Sequence, residues 1–224
     1  MFKAFQWIYT IYSALLFFVL MLLNGLFVLI PLLIHPRGDK ISFVFIRIWV
    51  GTWAFLSGIR FEVHGKEHLD LKQAYIFIFN HRSNLDAPLL PMVIPHYVRA
   101  IGKKELSKIP LFGYFYKRGC ILVDRSDPSS RRDVYAQAQK RLKAGLSICI
   151  FPEGGVPDPS IELSPFKDGA FRLAIEHKIP IAPVTFHDNK KLFSYTFFSG
   201  GPGKMRVMLH PLISTSNYSI EIKK

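Results

Sequence analysis

Cysteine and acidic residues are both scarce in this chain. Two of the 224 residues are cysteines, Cys120 and Cys149, which are too few for a fold held together by disulfides. Both lie in apolar runs, so we expect buried free thiols and a reducing compartment in contact with the cytosol. Asp and Glu number 16 against 29 Lys and Arg, a net charge of +13. Zinc-finger spacings, RNP-like runs and long basic blocks are missing, so we expect no nucleic acid among the partners.

Charge is absent altogether from Trp7 to Ile34, a run of 28 residues. A helix of that length is about 42 Å long, and about 20 apolar residues are enough to cross a bilayer. The apolar core of a signal peptide is only about half as long. Asn24-Gly25 interrupts the run and Pro31 closes it, so the segment is expected either to cross the membrane or to bend and re-enter it.

A second apolar stretch, from Ile41 to Ile59, contains a single charged residue, Arg47. An arginine near the bilayer midplane is unfavourable, which favours an amphipathic helix packed on the folded domain or lying in the interface over a second span. Residues 1–60 hold five basic residues and one acidic residue, so +9 of the net charge of +13 belongs to the rest. We therefore expect membrane-anchoring helices in residues 1–60 and one folded domain in 61–224, attracted to anionic lipid headgroups.

Beyond residue 60, short apolar runs alternate with helical patterns. Four runs lack polar alternation, which is typical of strands buried on both faces of a parallel sheet: 74–79, 119–123, 146–151 and 181–186. Ser129-Ser130 is expected to cap a helix that stops at Gly145, and a second helix is expected over 169–178. A late strand is expected over 205–213. The sequence thus predicts an α/β fold with a mixed, largely parallel sheet flanked by helices, behind a hydrophobic, membrane-associated helical segment.

Polar residues follow all four of these strands. They are the segments 80–86, 124–125, 151–155 and 187–188. Ligands of open α/β sheets bind at the carboxyl ends of the strands, so we expect the four segments to meet at one site.

His81 and Asp86 are a candidate catalytic pair. On an ideal helix they would lie about 140° apart, so they meet only if His81 is in the strand-to-helix turn and Asp86 in the first helical turn. Pro88 is compatible with such a turn. Asp86 would then accept the imidazole N–H while His81 removes a proton from a substrate hydroxyl. The alternative is that Ser83 and Asp86 form a capping box that only stabilises the helix start.

Four blocks in order, over about residues 75–187, resemble the glycerolipid acyltransferase family. They are Asn80-His81-x4-Asp86, residues 119–125, Phe151-Pro152-Glu153-Gly154 and residues 179–184, and Phe166-Lys167-x-Gly169-Ala170 is also similar to the family. The resemblance implies that 61–224 is a catalytic domain that moves a fatty acyl group from a thioester, either acyl-CoA or acyl carrier protein, to a lysophospholipid hydroxyl. With 1-acylglycerol-3-phosphate as the acceptor, the product would be phosphatidic acid, a step of phospholipid biosynthesis.

The resemblance also implies roles for single residues. His81 would be the general base and Asp86 its orienting partner, with no metal, cofactor or acyl-enzyme required. Arg125 would contact the acceptor phosphate, for which a planar guanidinium is well suited, or else form a surface salt bridge. Glu153 would hold the acceptor or shape its turn, its alternative being a buried carboxylate bonded to backbone amides. Gly154 would let the backbone approach a ligand closely.

The chain departs from the family directly after Glu153-Gly154. The family continues into Thr or Ser and often a basic residue, whereas this chain continues with Gly155-Val156-Pro157-Asp158. The missing charge must come from elsewhere, and the candidate cations are Lys167, Lys103, Lys104 and Arg172.

Three functions stay open on sequence alone. They are acyl transfer to 1-acylglycerol-3-phosphate, the same chemistry on another lysolipid such as a lyso-aminolipid, and a non-enzymatic membrane lipid-binding protein. A cytosolic thioester donor and reduced cysteines predict a cell-membrane location with the catalytic domain on the cytoplasmic face. His187 is expected to be a partly buried structural residue rather than a site residue. The aromatic stretch 193–198 is either lipid-facing or core-covering.

Overall fold

The computed structural model of the chain describes residues 2–34, 38–83, 85–110, 112–158, 160–194, 196 and 198–220. Within these residues seven strands form one sheet: β1 (Ile59–His64), β2 (Ile76–Phe79), β3 (Val98–Lys103), β4 (Cys120–Val123), β5 (Ser147–Ile150), β6 (Ile181–Phe186) and β7 (Gly203–Leu209). Their order across the sheet is β1-β7-β6-β2-β5-β3-β4.

Five neighbouring strands, β6, β2, β5, β3 and β4, are parallel, whereas β7 is antiparallel to β6 and β1 runs parallel to β7. The prediction of a mixed, largely parallel sheet is therefore confirmed. Strand β2 lies at its centre, and all four of its side chains are buried. Burial on both faces explains why this strand lacks polar alternation.

Two features of the sheet differ from the sequence prediction. The last strand ends at Leu209 rather than Ile213, since Pro211 has no N–H for the ladder and Ile213 pairs with Ile181 only as an isolated bridge. Strand β3 was not predicted, because Arg99 interrupts its apolar character.

Helices of the described residues pack on both faces of the sheet. They are α1 (Phe2–Ile34), α2 (Gly38–Leu56), α3 (Leu90–Val93), α4 (Phe112–Gly119), α5 (Pro128–Lys143), α6 (Gly169–His177) and α7 (Asn189–Leu192). Short 3₁₀ turns occur at Lys66–His68 and Lys104–Lys108. Helices α5 and α6 bury one face of β2, while α2 and α3 contribute to the core on the other face.

The cap predicted for α5 was wrong by two residues. Asp127 caps the helix, since its carboxylate accepts the N–H of Ser129 at 2.8 Å and Pro128 fills the first position, where its missing N–H costs nothing. Ser130 instead accepts the N–H of Asp124 through its hydroxyl at 2.9 Å. That bond ties the start of α5 to the residue that follows β4.

Helices α1 and α2 form an antiparallel hairpin. The indole N–H groups of Trp53 and Trp49 on α2 donate to the carbonyls of Ser13 and Phe17 on α1, at 2.8 and 3.1 Å. Both indoles belong to the core, so α2 packs on the folded domain as the amphipathic interpretation expects. The interruption expected at Asn24-Gly25 is wrong: Asn24 donates to the carbonyl of Leu20 at 2.9 Å and α1 continues as one helix.

Helix α1 is the one helix in the described part of the chain that is long and apolar enough to cross a membrane. An 18-residue window within residues 3–34 has a mean hydropathy of 2.7, and only 17% of that window is buried. The exposed face carries large apolar side chains along its whole length, from Trp7 to Ile34. A surface of this kind is incompatible with water and associates with a membrane.

Candidate active site

The strand-end segments predicted to meet do lie at one edge of the sheet, because β2, β4, β5 and β6 are parallel. His81 follows β2, Glu153 follows β5 and Asp188 follows β6, so these three come from adjacent strands. Arg125 follows β4, the strand at the end of the sheet.

His81 and Asp86 form a hydrogen-bonded dyad. The distance from His81 Nδ1 to Asp86 Oδ2 is 2.8 Å, and the two side chains are 17% and 0% exposed. An ionised carboxylate only accepts hydrogen bonds, so Nδ1 donates. Nε2 is then the ring nitrogen with a free lone pair, and it can receive the proton of a hydroxyl.

The position of Asp86 differs slightly from the expectation. Residues 85–89 form successive turns and α3 starts only at Leu90, so Asp86 precedes the helix rather than lying in its first turn. The chain still brings the two side chains together, because Asp86 N donates to the carbonyl of Ser83 at 3.3 Å and closes a turn between them. Asn84, inside this turn, lies outside the described residues.

The Asp86 carboxylate is surrounded by donors. Its Oδ2 also accepts the backbone N–H of Arg82 at 2.6 Å and of Ser83 at 2.8 Å, and its Oδ1 accepts from the Asn189 amide at 2.6 Å. Ser83 Oγ in turn accepts the N–H of Leu85 at 3.0 Å. The capping contacts and the contact to His81 therefore coexist, and the first set fixes the carboxylate for the second.

Glu153 and Phe151 hold His81 from the neighbouring strand. Glu153 is buried and accepts the backbone N–H of His81 at 2.7 Å on one oxygen and that of Ser164 at 2.9 Å on the other. The ring of Phe151 stacks on the imidazole with centroids 4.3 Å apart. Both oxygens of Glu153 thus bind backbone amides, as its structural alternative expects, and the carboxylate sets the position of the His81 backbone.

Two cations flank Gly154 and Gly155, where the chain departs from the family. Gly154 has φ +77°, and a methyl built on it would lie 2.6 Å from Lys167 Nζ. A methyl built on Gly155 would lie 3.2 Å from Arg125 Nη1. The backbone N–H of Lys167 donates to the carbonyl of Pro152 at 2.9 Å, which brings this lysine back over the turn. Lys167 and Arg125 therefore converge on one turn next to Glu153.

The other candidate cations are engaged elsewhere. Lys103, at the end of β3, lies 3.8 Å from Glu105, and Lys104 lies 3.9 Å from Asp124. Arg172 on α6 interacts with Tyr135 and contributes to the pKa of that phenol. Of the four candidate cations, Lys167 is the one that lies over the Gly154 turn.

His187 and the aromatic stretch are also placed by the structure. His187 is exposed rather than partly buried, so that expectation was wrong: its turn leaves the ring in solvent while its backbone N–H donates to Arg206. Phe193 is partly buried against the core, and its ring lies tilted against that of Tyr9 of α1, with centroids 5.7 Å apart. Phe193 therefore covers the core, as one of the two alternatives for this stretch expects. Tyr195 and Phe197 lie outside the described residues.

Neither cysteine offers a reactive thiolate. Cys149 is fully buried, and burial raises the pKa of its thiol well above the ordinary value; the pKa of Cys120 is raised to about 12 for the same reason. A thiol that stays protonated is a poor nucleophile. The residues around His81 that the structure describes therefore favour direct transfer to an activated hydroxyl over a cysteine-bound intermediate.

A family model described as Acyltransferase matches residues 60–187, which is more than half of the chain and includes both members of the dyad. The chain belongs to the acyltransferase family. Its activity is acyl transfer, which sets aside the interpretation as a non-enzymatic lipid-binding protein.

Two curated relatives of this acyltransferase are both named as 1-acyl-sn-glycerol-3-phosphate acyltransferases. The 1-acyl-sn-glycerol-3-phosphate acyltransferase alpha of Mus musculus is 30% identical over 213 residues, which cover 91% of this chain and 74% of that protein. The 1-acyl-sn-glycerol-3-phosphate acyltransferase of Saccharomyces cerevisiae is 33% identical over 174 residues, which cover 76% and 57%.

A solved structure shares the fold of this acyltransferase. The 1-acyl-sn-glycerophosphate (LPA) acyltransferase PlsC of Thermotoga maritima superposes with a TM-score of 0.82 at 24% identity, over 99% of this chain and 90% of that one. The agreement covers the N-terminal hairpin as well as the sheet.

Proposed function

We propose that this acyltransferase acylates the free hydroxyl of 1-acylglycerol-3-phosphate and releases phosphatidic acid. The observation that carries the proposal is the dyad: a buried carboxylate held by three N–H donors besides His81 fixes the imidazole with Nε2 free. The acyl donor is a thioester, acyl-CoA or acyl carrier protein.

The dyad performs both proton transfers of the reaction. His81 Nε2 takes the proton of the acceptor hydroxyl as its oxygen attacks the thioester carbonyl, and Asp86 stabilises the imidazolium that forms. When the tetrahedral intermediate collapses, the carbon–sulfur bond breaks and the imidazolium returns the proton to the leaving thiolate. The acyl group passes directly from sulfur to oxygen, and the enzyme ends in its starting state.

Lys167 and Arg125 are the proposed phosphate ligands. They flank the Gly154-Gly155 turn, whose lack of side chains lets both cations approach the backbone closely. A guanidinium binds phosphate through two parallel N–H bonds, and an ammonium adds a point charge. Lys103 lies at the same edge one strand away from β5 and is proposed to act more weakly, since Glu105 competes for it.

The membrane holds the enzyme through α1, which we propose to lie along the bilayer surface instead of crossing it. Tyr9 near its start donates to the carbonyl of Ser57 at 2.6 Å, and Asp39, beyond its end, pairs with Arg99 of β3 at 2.8 Å. Ser57 lies just before β1 and Arg99 belongs to β3, so both ends of a helix about 50 Å long are fastened beside one sheet. A helix fastened in this way cannot place its ends on opposite sides of a membrane. The catalytic domain is proposed to face the cytoplasm, where the thioester donors are.

Labelling tests this orientation. Single cysteines replacing Lys3 and Lys40, both exposed, should each react with a membrane-impermeant reagent on the side where the catalytic domain lies. Labelling of one of the two only after the vesicles are opened would show that α1 crosses the bilayer.

One product assay tests the reaction itself. Purified enzyme is given 1-acylglycerol-3-phosphate, a lysophospholipid with a blocked phosphate and a lyso-aminolipid, each with acyl-CoA and with acyl carrier protein, and products are identified by mass. Phosphatidic acid should dominate, and a His81→Ala enzyme should produce none above background. A preference for the lyso-aminolipid would overturn the proposed acceptor and leave the chemistry in place.

A further inference from the structure

One segment connects the catalytic dyad to the membrane helix. Residues 188–200, called here the clamp segment, leave β6, pass beside Asp86 and reach α1; residues 195 and 197 lie outside the description. At the dyad, Asn189 Nδ2 donates to Asp86 Oδ1 at 2.6 Å. Ser83, which also donates its backbone N–H to Asp86, bonds to the Phe193 carbonyl through its hydroxyl and forms a bridge with Ser194.

The side-chain amide of Asn189 is buried with one of its hydrogen-bonding groups unsatisfied. The side chain is 1% exposed, and its Oδ1 has no hydrogen-bond partner among the described residues. Because the carboxylate of Asp86 accepts only, the amide must turn its NH₂ towards Asp86, and this leaves the oxygen without a donor. A buried acceptor without a partner destabilises the fold, so stability does not explain an asparagine at this position.

The other end of the clamp segment is fastened to α1. Gly200 donates its N–H to Thr10 Oγ1 at 2.9 Å, and Phe198 stacks on Trp7 with ring centroids 4.5 Å apart. The fit at Gly200 is close: a methyl built there would lie 2.7 Å from both Thr10 Oγ1 and the Phe193 ring. The position of the clamp segment therefore depends on where the first turns of α1 lie.

We infer that Asn189 is a positioning residue that orients the Asp86 carboxylate towards His81, and that α1 holds Asn189 in place through the clamp segment. The inference rests on the proposed role of His81 as the base. Oδ1 is the only Asp86 oxygen not bound to the 81–83 turn, so the Asn189 bond fixes rotation of the carboxylate about its Cβ–Cγ bond. Without it, Oδ2 keeps the N–H bonds of Arg82 and Ser83, but the plane of the carboxylate, and with it the lone pair that faces Nδ1, is held less firmly.

Substitution of Asn189 tests the first half of the inference. Asn189→Leu keeps the volume and removes both the donor and the orphaned oxygen. We expect kcat to fall about tenfold to a hundredfold, because small misplacements of catalytic groups cause losses of this size. The KM values of both substrates and the melting temperature should stay close to those of the wild type. Asn217→Leu, an exposed asparagine near the end of the chain, is the matched control and should change nothing.

Asn189→Asp gives a readout that a purely structural role would not move. Two buried carboxyl groups at the 2.6 Å separation of the present contact share one proton, so the variant carboxyl donates an O–H to Asp86 Oδ1 in place of the amide. The kcat profile should therefore gain an alkaline limb, where that proton leaves and the contact to Asp86 is lost. A structural role predicts the same loss of activity at every pH. This isosteric variant also decides the question if Asn189→Leu does not fold.

Thr10→Val tests the link to α1. The change removes the acceptor of the Gly200 N–H without changing the shape, so kcat should fall several-fold in membranes with the acceptor KM unchanged. Thr52→Val, at an exposed threonine of α2, is the control. If Thr10→Val behaves like its control while Asn189→Leu loses kcat, the link to α1 is wrong and the positioning role stands.

Failure of the inference differs from failure of the proposed function. If His81→Ala is inactive and Asn189→Leu keeps kcat within twofold of wild type, the positioning role is wrong and the mechanism stands. If His81→Ala remains active, the base itself has been misassigned, and the inference falls with it.

Discussion

The dyad and the cations beside it are held in different ways. His81 and Asp86 are fixed by backbone amides, by Glu153 from the next strand and by Asn189, and the aspartate is fully buried. Lys167 and Arg125 are exposed side chains that approach a turn of bare backbone. Proton transfer needs a fixed geometry, whereas binding of a headgroup at a membrane surface tolerates motion, so the difference agrees with the roles proposed for the two regions.

The largest expected effect comes from removing the base. Proton transfer by a positioned side chain contributes about 10²–10⁴ in rate, so His81→Ala should lower kcat by at least that factor without changing membrane association. Asp86→Asn should come close to it, because the amide cannot stabilise an imidazolium. Single-turnover assays with saturating substrates measure the loss. An active His81→Ala enzyme would falsify the mechanism.

The next largest effect is expected at Glu153, which follows β5 and binds the backbone of His81 after β2. Glu153→Gln keeps one amide acceptor but turns an NH₂ group towards a backbone N–H, and a buried unsatisfied donor costs about 1–3 kcal/mol. We expect kcat about tenfold lower together with a reduced free energy of unfolding, measured by urea titration. Unchanged stability with a raised acceptor KM would instead assign Glu153 to holding the acceptor.

A smaller effect is expected at the glycine turn. Gly154→Ala forces a residue with a side chain to φ +77° and moves Lys167 by the width of a methyl group. The acceptor KM should rise about threefold to tenfold, and kcat should change less. Gly119→Ala is the control, because a methyl there meets open space and its φ is unstrained. Equal kinetics of the two variants would remove Lys167 from the phosphate site.

The smallest effect concerns acid stability. The Arg206 guanidinium bonds both oxygens of Asp188 and lowers the pKa of that carboxyl from 3.8 to about 2. A lowered pKa contributes stability that is present above about pH 4 and is lost as the pH falls towards 2. Because Arg206 is exposed, Asp188→Asn should raise the pH of the acid unfolding midpoint by only roughly 0.2–0.5 units. Circular dichroism measures the midpoint. A midpoint shift above one unit would show that the pair matters far more than an exposed ion pair can.

The sequence was enough to predict the dyad because both members lie in one short block after a strand with an unmistakable apolar pattern. Asn189 escaped prediction because it lies 103 residues from Asp86 and a lone asparagine carries no pattern. Parallel pairing of β2 and β6 brings the two together, and register of that kind is a tertiary property.

The membrane hairpin shows the same limit. Composition predicted a long apolar helix over 7–34, but the fastening of its two ends depends on Tyr9 and Asp39, whose partners come from distant parts of the chain. Likewise, Lys167 was one of four candidate cations in the sequence. The bond from its N–H to Pro152 and the left-handed turn at Gly154 place it over the turn, and for this reason it is the lysine that we propose for the phosphate.

One measurement tests the division between chemistry and recognition most directly. The ratio of kcat/KM for 1-acylglycerol-3-phosphate to that for 1-acylglycerol, which lacks the phosphate, is compared between the wild type and Arg125→Ala, with Lys66→Ala as the control for an exposed cation remote from the site. The account predicts that Arg125→Ala lowers the ratio at least tenfold through the KM of the phosphate-bearing acceptor, with kcat for 1-acylglycerol unchanged. A loss that is equal for both acceptors would contradict it, because Arg125 would then serve the chemistry or the fold rather than the phosphate.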